Sequence, residues 1–157
     1  MIERIVSGGQ TGVDRGALDA ALAAGTPCGG WCPRGRRAED GVIPARYKLR
    51  EAPSAGYIER TRRNVRDSDA TLVLGWGTPR GGTAATIGFA DRLGRPCLVL
   101  DMAAIDDRAA TSLATAWISH NRIGVLNVAG PRGSGREEAH VRARAVIEAV
   151  LRARLIR

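Results

Sequence analysis

Lysine is almost absent from this chain: Lys48 is the only one, and every other residue among the 24 basic ones is arginine. Aromatic residues are scarce as well, at 4%. That argues against a stacking surface for single-stranded nucleic acid. No zipper, zinc-finger or RNP-like pattern is present either, so nucleic acid is not the expected partner. The three cysteines, Cys28, Cys32 and Cys97, are an odd number. With no basic-then-apolar leader at the N-terminus, they read as reduced thiols of a cytoplasmic protein. The two histidines, His120 and His140, fall at no metal-ligand spacing, and no protein-ligated metal is expected. No run of 18 apolar residues occurs, so no membrane span is expected.

What is present is the mix of a globular domain, with 44% hydrophobic and 25% charged residues. The length of 157 residues implies one domain over 1–157. The net charge of +8 would attract anions, and guanidinium groups bind phosphate in a bidentate manner. Glycine is abundant, at 20 residues, and it clusters between periodic segments.

Those segments alternate. Strands are predicted over 2–6, 26–31, 70–74, 97–100 and 123–128. Helices are predicted from Asp14 to the stop at Gly25, then over 57–67, 83–93, 107–119 and 136–155. Ile58 and Val65 are expected on the inner side of the second helix, and Leu113, Trp117 and Ile118 on that of the fourth. The stretch 32–53 reads as a long loop with six cations, and long loops in compact α/β domains are usually functional. The alternation predicts an α/β fold: a parallel sheet of about five strands with helices on both faces.

Ligands of such sheets bind beyond the carboxyl ends of the strands. Three glycine loops open helices there: Ser7-Gly8-Gly9-Gln10-Thr11-Gly12, Trp76 to Thr83, and Gly130-Pro131-Arg132-Gly133-Ser134-Gly135. Glycine lets a backbone approach a phosphate, while free amides and the helix dipole attract its charge. The second strand leads into Pro33-Arg34-Gly35-Arg36-Arg37 on the same edge. A phosphorylated small molecule is therefore the expected ligand. Neither G-x-G-x-x-G nor a P-loop is present, which sets aside an ordinary NAD enzyme and a P-loop ATPase. Ser7, Thr11, Thr83 and Ser134 have no nearby base and suit donation to an oxyanion. Asp14 is placed where the helix dipole favours an acid. Glu39 and Asp40 are expected to pair with arginines of their own loop. Trp31 and Trp76 fall beside the ligand edge. No acid–base pair is apparent.

Five motifs, in order, resemble the molybdenum cofactor carrier family. They are Ser7-Gly8-Gly9-Gln10-Thr11-Gly12-Val13-Asp14-Arg15, Gly30-Trp31-Cys32-Pro33-Arg34-Gly35-Arg36-Arg37-Ala38-Glu39-Asp40-Gly41, Asn64-Val65-Arg66-Asp67-Ser68-Asp69-Ala70, Gly81-Gly82-Thr83 and Leu126-Asn127-Val128-Ala129-Gly130-Pro131-Arg132. That family in turn resembles the Rossmann-like lysine-decarboxylase-like proteins, which include cytokinin-activating phosphoribohydrolases. The resemblance implies a single Rossmann-like domain that binds molybdenum cofactor, a phosphorylated pterin (molybdopterin), and passes it to molybdoenzymes. It also implies a homo-oligomer, a tetramer. Carried over by position, the binding residues are Gly8, Gly9, Gln10, Thr11, Arg34, Arg36, Gly81, Gly82, Thr83 and Arg132. Ser134 joins them from its loop. The alternative is a nucleotide-binding enzyme or sensor, such as a nucleoside-monophosphate phosphoribohydrolase. Those enzymes place a glutamate shortly after their glycine-threonine motif. Here no carboxylate follows Thr83 until Asp91. No residue is assigned a catalytic role, and a non-catalytic carrier is the preferred expectation. Apolar residues on two helices, Ile87, Phe89, Ile147 and Leu151, are expected to seek a symmetry mate.

Overall fold

The computed structural model describes residues 1–153. Five parallel strands form its sheet: β1 (Arg4–Val6), β2 (Cys28–Gly29), β7 (Ala70–Gly75), β8 (Cys97–Asp101) and β9 (Val125–Ala129). Their order is β2-β1-β9-β7-β8. Five helices connect them: α1 (Val13–Ala24), α2 (Tyr57–Arg66), α3 (Gly81–Arg92), α4 (Asp107–His120) and α5 (Ala139–Arg152). The architecture is the Rossmann-like α/β fold that the alternation predicts. The chain runs outward from β1 to β2 on one side and from β7 to β8 on the other, and β9 inserts between β1 and β7. The winding direction therefore reverses at the middle of the sheet, which is where such folds open a ligand crevice.

Registers fix which side chains share a face. Ile5 pairs with Leu126, Ala70 with Leu126 and Leu72 with Val128, so Ile5, Leu72, Leu74, Leu126 and Val128 all point to one side. That side meets α1, α4 and α5, and together they form the main core. Small residues line the helix contacts: Ala17, Ala20 and Ala21 on α1, Ala110 and Ala114 on α4, Ala139 and Ala143 on α5. The other side carries Val6, Thr71, Val73, Asn127 and Ala129, and α2 and α3 lie beside each other across it. Asn127 donates from Nδ2 to Thr71 Oγ1 at 3.2 Å, so this second face is polar even where it is buried.

Several expectations change in three dimensions. The second strand breaks at Gly30, whose φ is 135° and whose missing Cβ would lie 2.3 Å from the Ser7 carbonyl oxygen. Beyond that kink, β3 (Trp31–Cys32) leaves the sheet and pairs with β6 (Arg50–Glu51). The stretch 32–53 is thus no bare loop. It holds β3, a hairpin of β4 (Arg37–Ala38) and β5 (Gly41–Val42), and β6. Cys32, Ala38, Ile43, Tyr47 and Leu49 pack there with Leu18 into a second small core. Helix α5 begins at Ala139 rather than residue 136, after turns through 132–138, and the expected end at Leu155 lies outside the described residues. Ile147 and Leu151 are buried by their own chain against α1 and the sheet, so they leave no apolar face for a partner. Leu113 is exposed, because Ala110, Ala114 and Ile118 form the inner side of α4. Ile58 is 61% exposed although Val65 is fully buried, because the first turn of α2 overhangs an opening instead of the sheet.

Candidate functional site

That opening is a cavity of about 920 Å³ at the carboxyl ends of β1, β7 and β9, roofed by α2. It is of the size that small-molecule sites occupy, roughly 300–1,000 Å³. Three connections enclose it. After β1 come Gly8 and Gln10. After β7 come Trp76 to Arg80 and the start of α3. After β9 come Gly130 to Arg132 and Ser134 to Arg136. Helix α2 adds Tyr57, Arg60, Thr61 and Asn64, which recur at three- and four-residue steps and so share one side of the helix.

The arginines set its charge. Arg60, Arg80, Arg132 and Arg136 line the cavity, against a single carboxylate, Asp14. The Arg132 guanidinium lies over the Tyr57 ring at 4.3 Å from its centroid, which holds it at the rim. Helix α3 begins on the opposite wall with Arg80 at its N-cap and no side chain capping its first amides. A Cβ on Gly82 would meet nothing within 4 Å, so the backbone at this helix start is open to a ligand.

The floor is built differently. Asp14 stands in the first turn of α1 and is only 6% exposed. Its Oδ2 accepts the Gln10 amide at 3.2 Å and Arg60 Nη1 at 3.3 Å. Burial pushes the Asp14 carboxyl up from its ordinary value, and Arg60 opposes that shift. Gly8 makes the pairing possible, since a Cβ there would sit 1.4 Å from Arg60 Nη1. Arg60 Nε, Gln10 Oε1 and the Trp76 indole Nε1 are buried at this cavity without a partner.

Of the residues expected at the site, Gly8, Gln10, Gly82, Thr83, Arg132 and Ser134 line the cavity. Gly9 turns away, packed toward Leu49 and Ile43 of the small core. Gly81 is the first residue of α3, beside the lining Arg80 and Gly82 but not itself on the wall. Thr11 is engaged within the protein: its Oγ1 accepts the Gly133 amide at 3.1 Å and donates to Glu39 Oε1. Ser134 also spends its hydroxyl on Glu39, at 2.5 Å from Oε2. The hydroxyls of Ser134 and Thr11 hold the Glu39 carboxyl below its usual range. Glu39 therefore pins the hairpin to the loop after β9, and Asp40 is held by both terminal nitrogens of Arg15 on α1, at 2.6 and 2.8 Å. Neither acid pairs with the arginines of its own loop, because the hairpin turns both toward α1 and the β9 loop.

Arg34 is exposed and outside the cavity. Arg36 folds back and donates to the carbonyls of Ile43, Pro44, Tyr47 and Leu49, so its guanidinium holds the small core together. Trp31 does not line the cavity. Arg50 and Arg63 both lie over its ring, at 4.4 and 4.7 Å from the centroid, and its Nε1 donates to Asp67. Sequence reasoning passed over Asp14, Tyr57, Arg60 and Asn64 as site residues. The signal for the last three was there, in polar and aromatic residues repeating along one side of α2. The signal for Asp14 was not, because its burial depends on α2 closing over it. Among the described residues, no group of three His, Cys, Asp or Glu is placed to hold a metal ion. No helix among them is long and apolar enough to cross a membrane.

The fold and the site together define a doubly wound α/β domain with an arginine-lined cavity at the switch point of its sheet. The chain belongs to the circularly permutated YpsA SLOG family, whose profile matches residues 5–151. It is also similar to a solved structure from Syntrophus aciditrophicus SB, described as a "Putative molybdenum carrier protein". The two share 43% sequence identity with a TM-score of 0.93, over 96% of this chain and 95% of the other. No curated protein matches the chain.

Proposed function

We propose that this protein binds the molybdenum cofactor, a phosphorylated pterin, in the cavity beyond β1, β7 and β9, and hands it on unchanged to molybdoenzymes in the cytoplasm. The observation that carries the proposal is the pairing of a helix start with no side-chain cap, unobstructed at Gly81 and Gly82, with Arg80, Arg132 and Arg136 around one cavity. Free amides and the helix dipole suit a phosphate, and guanidinium groups reinforce them. The similarity to the molybdenum carrier structure supports the choice of cargo. The arrangement of acids supports carrying over turnover: Glu39 and Asp40 are tied into structural bonds off the cavity, and Asp14, the one carboxylate that lines it, is bonded to Arg60 and the Gln10 amide.

The test is to incubate the protein with the cofactor and with nucleoside monophosphates, then identify what stays bound and what has changed. A carrier retains cofactor, protects it from oxidation and returns it intact to a recipient enzyme. Binding quenches emission from Trp76, saturably, and weakens as salt screens the arginines. Release of free base from a nucleoside monophosphate, with no retention of cofactor, would replace the carrier with a hydrolase.

We further propose that the protein is a homo-oligomer, a tetramer, joined through β8 and α3. Strand β8 is an edge strand with Val99 exposed, and Leu93 is exposed beside it at the end of α3. Ile87 and Phe89 on α3 are half-buried. Uncovered edges of this kind invite pairing. Light scattering at micromolar concentration tests it, and a monomer would refute it.

A further inference from the structure

We infer that Asp14 and Arg60, with Gln10, form a reading head for an aminopyrimidinone edge, the run of two adjacent N–H donors beside a ring carbonyl that pterins and guanines share. This rests on the proposal that the cavity holds a phosphorylated heterocycle, and it names which end of that ligand goes where.

The cavity has two chemically opposed ends. The rim and the α3 start bring positive charge and no carboxylate, from the first amides of the helix, Arg80, Arg132 and Arg136. The floor holds a carboxylate that is almost wholly buried. A phosphate beside Asp14 would meet like charge in a poorly solvated place, so the phosphate belongs at the rim and the other half of the ligand at the floor.

The floor is also unfinished. Asp14 and Arg60 meet at 3.3 Å, longer than the roughly 2.7–2.9 Å of a well-formed charged hydrogen bond. Arg60 Nε has no partner. Gln10 is 2% exposed; its Nε2 is spent on the Arg37 carbonyl, while its Oε1 has no partner. Buried polar atoms are nearly always paired in folded proteins, so the orphans on Arg60 and Gln10, the two residues bonded to Asp14, mark where ligand atoms complete the network. The orphans comprise an acceptor on Gln10 and a donor on Arg60, next to a carboxylate short of donors.

A carboxylate offers two acceptor oxygens side by side. It is matched by two parallel N–H groups, as on a 2-amino-4-oxopyrimidine, with the neighbouring ring carbonyl left for the arginine. An adenine edge presents one N–H beside a ring nitrogen lone pair, which a carboxylate repels. It is the ionised carboxylate that makes this distinction, and Arg60 beside it works against the burial that pushes the Asp14 carboxyl up.

The experiment titrates four probes against the native protein: 6-hydroxymethylpterin phosphate, GMP, AMP and inorganic phosphate. The pterin phosphate and GMP are expected to bind about tenfold or more tightly than AMP, because a site built for N–H donors rejects an edge that lacks them. Whichever of the two binds tighter identifies the source of the edge. Asp14→Asn, which replaces one acceptor by a donor, is expected to erase or invert the GMP-over-AMP preference while leaving inorganic phosphate binding unchanged. Gly8→Ala, which drives Arg60 off Asp14, is expected to reduce the same ratio, and it serves alone if Asp14→Asn does not fold. Equal binding of GMP and AMP by native protein overturns the inference, as does a preference that survives both substitutions. Failure of all four probes and of molybdenum cofactor to bind overturns it together with the carrier proposal. Retention of molybdenum cofactor with no GMP-over-AMP preference sinks the reading head alone. A clear preference without cofactor retention sinks the carrier alone.

Discussion

The two faces of the sheet in this protein are built for different ends. On one, Ile5, Leu72, Leu74, Leu126 and Val128 meet the alanine-rich sides of α1, α4 and α5, and the contact is closed and apolar. On the other, Thr71 and Asn127 bond to each other, and α2 and α3 leave a cavity at the carboxyl edge. The same five strands serve both, because alternate residues along a strand face opposite sides. Stability is thereby concentrated on one face. The other is free to hold an unpaired amide oxygen and a loose ion pair that would be faults in a closed core.

The contrast is most easily broken on the closed face. Leu72→Ala removes a fully buried side chain there and should cost about 2–5 kcal/mol of folding stability, read from urea unfolding. Ligand affinity of the fraction that stays folded should not move. A cost below about 1 kcal/mol would mean that this face is not the main source of stability.

The open face should respond the other way. Gly82→Val places a branched side chain in front of the α3 amides, where a Cβ meets nothing in the unliganded protein. Phosphate binding should be lost, with the thermal midpoint nearly unchanged. Normal binding by that variant would move the phosphate site elsewhere.

Arginines at the cavity and outside it should separate cleanly. Arg132→Ala should weaken cofactor binding by about 1.5–3 kcal/mol, as for a hydrogen bond to a charged group. Arg34→Ala, at an exposed site off the cavity, should change it by less than about 0.5 kcal/mol. A titration of both variants at low and high salt checks the pair. Equal losses would show that the arginines act through overall charge and not through position.

The smallest effect is on pH. Arg66 and the Trp31 indole hold the Asp67 carboxyl down to about 2 from 3.8. Its ionised form is favoured in the fold, so its contribution is complete above about pH 4 and is lost as pH falls toward 2. Asp14 has the opposite sign. Burial raises it, so protonation favours the folded state and works against acid unfolding. Acid denaturation curves of Asp67→Asn should therefore be shallower than native over that range. An unchanged slope would remove Asp67 as a contributor.

Much of the fold was legible in the chain. Strand β7 reads as an apolar run interrupted only by Thr71 because it is buried on both faces, and the glycine loops mark the carboxyl edge because each one starts a new crossover. The stretch 32–53 was not legible, because its short strands and small core lack a period to recognise. It holds through a kink at Gly30 and through the Arg36 side chain bonding to four distant carbonyls. The site divides in the same way. The rim could be read from Gly82, Thr83, Arg132 and Ser134, since each sits in a local glycine loop whose chemistry is contained within a few residues.

What the sequence determined by itself was the alternation of elements, the parallel sheet and the edge at which a ligand would sit. Periodicity and glycine placement are local properties, and they survive without knowledge of the partners. What only the tertiary structure decided was the fate of individual charges. Arg36 and Arg60 look alike in the chain, yet one is used up on backbone carbonyls and the other reaches the cavity floor. Asp14 looks like an ordinary acid at a helix start. It is buried because α2, more than 40 residues later, folds across it and brings Arg60 to its side, at a sequence separation of 46. A charge takes its role from the solvent it loses and the groups it meets, and both are set by contacts between segments far apart in the chain.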